Sequence, residues 1–206
     1  MNLRALCQSL ALATAIAMPL ASAPAVAQEK TDFSVCWSIY VGWMPWGYAM
    51  DNGIVKKWAD KYGITIEVKQ FNDYVESINQ YTAGAFDAVT LTNMDAVSIP
   101  AAGGVDTTVV ITGSASNGND AIILKGKDKL EDIKGQTVNL VEFSVSHYLL
   151  ARALESVKLA EKDVKVVNTS DADLASAYKT PDVTAVVTWK PIVSTILESP
   201  DAKNVF

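Results

Sequence analysis

The sequence has almost no histidine, little cysteine and no surplus of positive charge, and each shortage closes off a class of function. His147 is the only histidine in 206 residues, so a multi-histidine metal site is impossible. There are two cysteines, Cys7 and Cys36. Cys7 lies in an N-terminal apolar segment that reads as a cleaved leader. Cys36 then stands alone, which excludes an intramolecular disulfide framework. It sits in an apolar run and is expected to be a buried, inert thiol. Acidic residues number 23 against 17 basic ones, a poor match for nucleic acid, which demands basic patches. No stretch approaches the ~18–20 apolar residues that span a bilayer. The patterns GxSxG, HExxH and CxxC and the phosphate-loop pattern are all missing. Nothing therefore points to a catalytic centre, a metal or a cofactor.

What is present begins with a secretory signal. Arg4, the apolar Leu10–Leu20 and the small-x-small Ala25-Val26-Ala27 predict a signal peptide over residues 1–27. The 179 residues that follow carry 16 basic and 23 acidic side chains, a formal charge of −7. That length buries a sizeable core, as one large or two small domains.

Strand and helix patterns alternate through the mature chain. Strands are predicted at Phe33–Tyr40, Ile64–Phe71, Phe86–Leu91 and Thr107–Thr112. Helices follow Pro45, span Tyr74–Ala83 with Asn72 or Asp73 as cap, and run on to Ala102. Gly113–Asp120 (GSASNGND) has no apolar residue larger than alanine and reads as a linker. Beyond it, strands are predicted at Ala121–Lys125, Thr137–Val141, Val164–Asn168 and Val183–Thr188. Helices start at Ser144 or Ser146, at Ala172 and at Pro191, and Lys203–Phe206 begins a last strand. This order predicts an α/β fold of two blocks, each a mostly parallel sheet flanked by helices. The predicted bounds are 28–113 for the first lobe, 114–120 for a hinge and 121–206 for the second lobe.

In open α/β sheets, ligands sit outside the carboxyl ends of the strands. The loops there are Tyr40–Trp46, Thr92–Asp95, Ser114–Asp120, Glu142–His147 and Thr188–Lys190. From them come eight candidate ligand residues: Trp43, Trp46, Asn93, Asp95, Asp120, Glu142, His147 and Trp189. Each has a structural alternative. Trp43, Trp46 and Trp189 can be packing, Asp95 can cap the helix after it, and Glu142 can offset a helix dipole. Asn93 can shape a turn, His147 can make a structural hydrogen bond, and Lys190 can be a solvated charge. A cleft drawn from these loops holds three acids and only Lys190 as a base. It suits a cation or a planar hydrogen-bonding solute better than an anion.

With these loops in place, the chain resembles periplasmic substrate-binding proteins of the NitT/TauT class, which serve ABC importers. The resemblance rests on YVGWMPWGYAMDNGIVKKWADKYGI, GAFDAVTLTNMDAV, LEDIKGQTVNLVEFSVSHYLLARALES and VTAVVTWKPIVSTILES, in that order. GWMPW with TLTNMDA is most similar to the branch encoded near urea carboxylase systems, a branch credited with binding urea, with guanidine-type compounds as the alternative. The resemblance implies a type II periplasmic-binding-protein fold: two lobes closing on one ligand in the cleft between them. It also implies a monomer that delivers its ligand to an inner-membrane permease and catalyses nothing. Binding of an aliphatic sulfonate or nitrate is the alternative within the family. A pyrimidine-precursor synthase or a periplasmic sensor subunit are the alternatives outside it. Such proteins return to the first lobe after the second, so a chain ending at Phe206 is expected to be truncated, with its first lobe incomplete.

Overall fold

A strand with a partner on each side begins the architecture. β1 (Asp32–Ser38) pairs in parallel with β2 (Thr65–Phe71), from Asp32 opposite Thr65 to Ser38 opposite Phe71, and with the short β3 (Ala88–Val89). The computed structural model describes residues 29–206, and the predicted signal peptide lies outside the described residues. Thr31–Phe206 form one unit.

Between β1 and β2 run α1 (Pro45–Asp51) and α2 (Ile54–Tyr62). Pro45 takes the first turn of α1, where its missing N–H is not needed. Gly63 ends α2 at φ 65°, a left-handed position that costs glycine little. α3 (Tyr74–Thr82) starts at Asp73, whose carboxylate accepts the Glu76 N–H at 2.7 Å. α4 (Asn93–Ala96) starts at Thr92 and passes into a wider turn, Val97–Ala101, that takes in Pro100.

The second sheet has the order β6-β5-β7-β4-β8. Its strands are β4 (Asp120–Lys125), β5 (Thr137–Leu140), β6 (Lys165–Asn168), β7 (Ala185–Trp189) and β8 (Ala202–Asn204). α5 (Val145–Ser156), α6 (Asp171–Ala177) and α7 (Ile192–Ile196) connect and cover them. The α/β class is as expected from the pattern, but this sheet is mixed, not mostly parallel. β5 is parallel to β6 and β7, whereas β4 is antiparallel to β7 and β8. The reason lies in the connection. β4 enters from the linker without a helical crossover, so nothing constrains it to run with β7.

The expected strand Thr107–Thr112 does not form. Its β-branched residues fit a half-buried pleat, but no described strand pairs with them. Val109, Val110 and Ile111 are instead 75%, 81% and 66% exposed. The expected strand Phe86–Leu91 shrinks to Ala88–Val89.

Two cores result. One lies between α5 and the second sheet, with Ile122, Leu124, Val138, Leu140, Leu150 and Leu154 fully buried. The other joins Tyr74 and Ile78 of α3 to Ile123, Val186 and Trp189 of the second sheet. Gly42 explains how the linker lies against the loop after β1. A side chain there would overlap the Ser114 hydroxyl and the Tyr40 ring.

Candidate functional site

Tyr74 opens α3 and is 1% exposed. Its ring packs against Trp43 at 5.3 Å between centroids and edge-on against Trp189 at 5.6 Å, and Trp43 also meets Tyr40 at 4.8 Å. The Trp189 indole donates to the Ile39 carbonyl at 2.9 Å, and the Tyr40 hydroxyl accepts from the Asn119 amide at 3.2 Å. Backbone bonds reinforce the same seam: Val41 N–H to the Lys190 carbonyl at 3.0 Å and Lys190 N–H to the Asn119 carbonyl at 2.8 Å. The aromatic rings thus fill the join between the two sheets. From the second sheet's side, Asp171 accepts the Tyr74 backbone N–H at 3.1 Å. Burial pushes the Asp171 carboxyl up to about 6, only partly offset by that N–H.

The Tyr74 hydroxyl leads to the open part of the molecule. It donates to Asp95 Oδ2 at 2.5 Å, and the Thr92 hydroxyl donates to the same oxygen at 2.8 Å. Thr92 also caps α4 by accepting the Asp95 N–H at 3.1 Å. Asp95 is 0% exposed, and its other oxygen, Oδ1, is buried with no further side-chain partner. Burial raises its pKa. The Tyr74 and Thr92 hydroxyls, and the Val145 N–H at the start of α5, pull it back down. The same neighbourhood pushes the Tyr74 phenol well above its ordinary range, burial first and the Asp95 charge second.

Asp95 forms one wall of a cleft of about 260 Å³. Met94, Asp95 and Ser98 stand on one side, and Phe143, Ser144, His147 and Tyr148 on the other, with Glu161 at the edge. Its charged members are two acids; no lysine or arginine lines it. His147 Nε2 lies 3.0 Å from Glu161, and its Nδ1 accepts the Phe143 N–H at 3.3 Å. An accepting Nδ1 leaves the ring hydrogen on Nε2, pointed at Glu161. Phe143 is held at φ 62° and is 76% exposed. A bulky residue at positive φ is a strained outlier, of the kind concentrated at binding sites. Its ring and that of Tyr148, 54% exposed, give the cleft aromatic faces.

The eight residues chosen from the loops are divided by the structure. Asn93, Asp95 and His147 come together around this cleft and the depression that adjoins it. Trp189 is the last residue of β7 and 2% exposed, so it packs and does not face a cleft. Trp43 is half-buried in the seam, and Trp46 is half-buried one turn further on. Asp120 pairs with Trp189 on β4, accepts from the Ser116 hydroxyl, and has its pKa raised by burial. The Glu142 N–H is held by Asn168 at 3.0 Å, and its side chain is not among the cleft's lining. Tyr74, Phe143, Tyr148 and Asp171 were missed. Tyr74 had a signal, following directly on the helix cap Asp73. Phe143 had none, because backbone strain is not written in residue type. Among the described residues no cluster of three His, Cys, Asp or Glu is placed to hold a metal ion.

The chain is an α/β frame of two sheets with a small cleft over the ends of α4 and α5. The match to the NMT1/THI5-like family model runs over residues 53–197, and the chain belongs to that family. A provisionally named binding protein of Brucella abortus (strain 2308) is 24% identical over 139 residues, 68% of this chain and 43% of its own length. The chain therefore spans under half the length of the curated relatives it matches. Among solved structures, the alkanesulfonate-binding protein SsuA of Xanthomonas axonopodis pv. citri, bound to MOPS, superposes with a TM-score of 0.73 at 17% identity. The match covers 87% of this chain and 62% of that one. The periplasmic nitrate-binding protein NrtA of Synechocystis PCC 6803 gives 0.62 at 12% identity, covering 84% and 50%.

Proposed function

We propose that the chain belongs to a periplasmic solute-binding component of an ABC importer. It captures a small nitrogen-containing solute, such as urea, guanidine or a related amide or cation, and delivers it to an inner-membrane permease. Residues 1–27 serve as its export signal, and the two sheet regions act as lobes about 114–120. Binding energy shifts the lobes to a closed form that the permease recognises, with no turnover of the solute. Family membership and the likeness to solved binding proteins support the class.

One observation carries the nitrogen part. The cleft beside α5 is lined by Asp95 and Glu161 and by no lysine or arginine. Nitrogen hydrogens need acceptors and anions need donors, and this lining offers acceptors. Phe143 and Tyr148 add faces for a planar solute or cation. In this proposal Asp95, His147 and Asn93 touch the ligand, while Trp43, Trp46, Trp189, Asp120 and Glu142 hold the frame.

Uptake of an anion is the second reading, favoured by the ligand classes named for SsuA and NrtA. Calorimetric titration of the chain with guanidinium, urea, taurine and nitrate separates the two. Saturable binding of a nitrogen base is expected, and binding of taurine or nitrate alone would sink the nitrogen reading.

A further inference from the structure

Residues 107–112 (TTVVIT) have the composition of a strand and none of its pairing. Val109, Val110 and Ile111 are all exposed. Among the described residues, no backbone N–H or carbonyl of 107–112 takes part in a hydrogen bond. The segment is nevertheless anchored at both ends. Before it, the Val105 N–H donates to the Pro100 carbonyl at 2.8 Å; after it, Gly113 and Ser114 lie against Gly42. A β-branched run with open backbone groups is a template for strand addition. Fixed ends lower the ordering cost of such pairing.

Residue order indicates which strand fits. Two copies related by a two-fold axis pair antiparallel. Residues directly opposite share a face of the ribbon, so the axis must pass a residue that opposes its own copy. With the axis at Val110, Val109 meets Ile111 of the second copy and Thr108 meets Thr112. Like then faces like on both sides, the kind of cross-strand pair that stabilises a ribbon. An axis at Val109 sets Thr107 against Ile111 and Thr108 against Val110. An axis at Ile111 sets Val109 against Gly113 and Val110 against Thr112. Charge permits the contact too: residues 107–119 carry none in an otherwise acidic chain, and Asp106 meets Ser114, not a second acid. We propose that Thr107–Thr112 is a homodimer interface, pairing antiparallel with the same segment of a second copy about Val110. This departs from the monomer that the family resemblance implies. A six-residue ribbon falls short of the ~1,200–2,000 Å² buried in a stable complex, so the dimer is reversible, with a dissociation constant on the order of 10–100 µM.

The test is sedimentation velocity of the 206-residue chain from about 1 to about 300 µM, which brackets that constant. A monomer–dimer equilibrium is expected, strengthened by added salt, which screens the repulsion between two acidic copies. Val110→Lys sets two ammonium groups against each other at the axis and is expected to weaken the dimer about tenfold. Val110 is exposed, so an unchanged thermal midpoint separates lost pairing from lost folding. Cysteine cross-linking with oxidised glutathione checks the register. Val110→Cys opposes itself and is expected to form a covalent dimer. Thr108→Cys lies about 13 Å from its copy along the ribbon and is expected to show only the background that the parent's Cys7 and Cys36 give. A parent that stays monomeric at every concentration overturns the proposal. So does a dimer undiminished in Val110→Lys, or equal cross-linking at 108 and 110.

Discussion

The seam around Tyr74 and the cleft beside α5 touch through one hydroxyl, yet they are built on opposite principles. In the seam, Trp43, Tyr74 and Trp189 pack ring on ring, and the Trp189 indole N–H has its acceptor. In the cleft, Asp95 keeps an oxygen that no side chain satisfies, Phe143 sits on a strained backbone, and acids have no basic neighbour in the lining. Aromatic content in this chain marks the join between the sheets more than it marks the open cleft. Large rings bury the most area per residue, so they go where two sheets must be joined. The cleft, in contrast, keeps its polar and aromatic groups open to a solute.

Breaking the seam is expected to give the largest effect. Tyr74→Ala removes a fully buried ring and the hydroxyl that ties Asp95 to Thr92, and should cost about 3–5 kcal/mol in urea unfolding. A loss below about 1 kcal/mol would show that the seam does not hold the sheets. Asp171 is next. Its folded carboxyl is raised to about 6, above the ~3.9 of an unfolded Asp. The folded state thus holds the proton more tightly. The stability this group adds is fully present below about pH 4 and is lost as pH rises through about 6, up to about 3 kcal/mol. Asp171→Asn should flatten that part of the pH profile, measured as the difference between variant and parent unfolding at pH 4, 5, 6 and 7.

Trp43→Ala sharpens the contrast. As a half-buried seam residue it should cost about 2 kcal/mol of stability and leave ligand affinity within about twofold. A large affinity loss with unchanged stability would move Trp43 back to the cleft. The smallest effect is expected at Trp58, 47% exposed and stacked on Tyr62 at 6.4 Å. Trp58→Ala should change stability by less than about 0.5 kcal/mol.

Much of the frame was legible in residue order. The 3.6 and 2.0 periodicities located α3, α5, β2 and β4, and the caps were narrowed to Asn72 or Asp73 and to Ser144 or Ser146, of which Asp73 and Ser144 take the position. Cys36 is buried, donates to the Ser77 carbonyl at 3.4 Å, and has its thiol pushed up to about 11 by burial, as its apolar setting implied. What failed was non-local. Thr107–Thr112 has strand composition, but pairing depends on a neighbour that local sequence does not specify. Trp189 was placed on a loop, yet β7 extends through it because its backbone pairs with Asp120. For the site, Asp95 and His147 were legible as polar residues after strands. Phe143 and Tyr148 were not, since a positive φ and an exposed ring follow from how the turn into α5 is held.

Hydrogen–deuterium exchange of the chain with and without saturating guanidinium tests the contrast between seam and cleft most directly. Ligand-dependent protection is expected at 92–98 and 143–151, on the two walls of the cleft, with 40–46 and 185–190 unchanged. Protection centred on 40–46 and absent from 143–151 would contradict it and return the binding surface to the tryptophans.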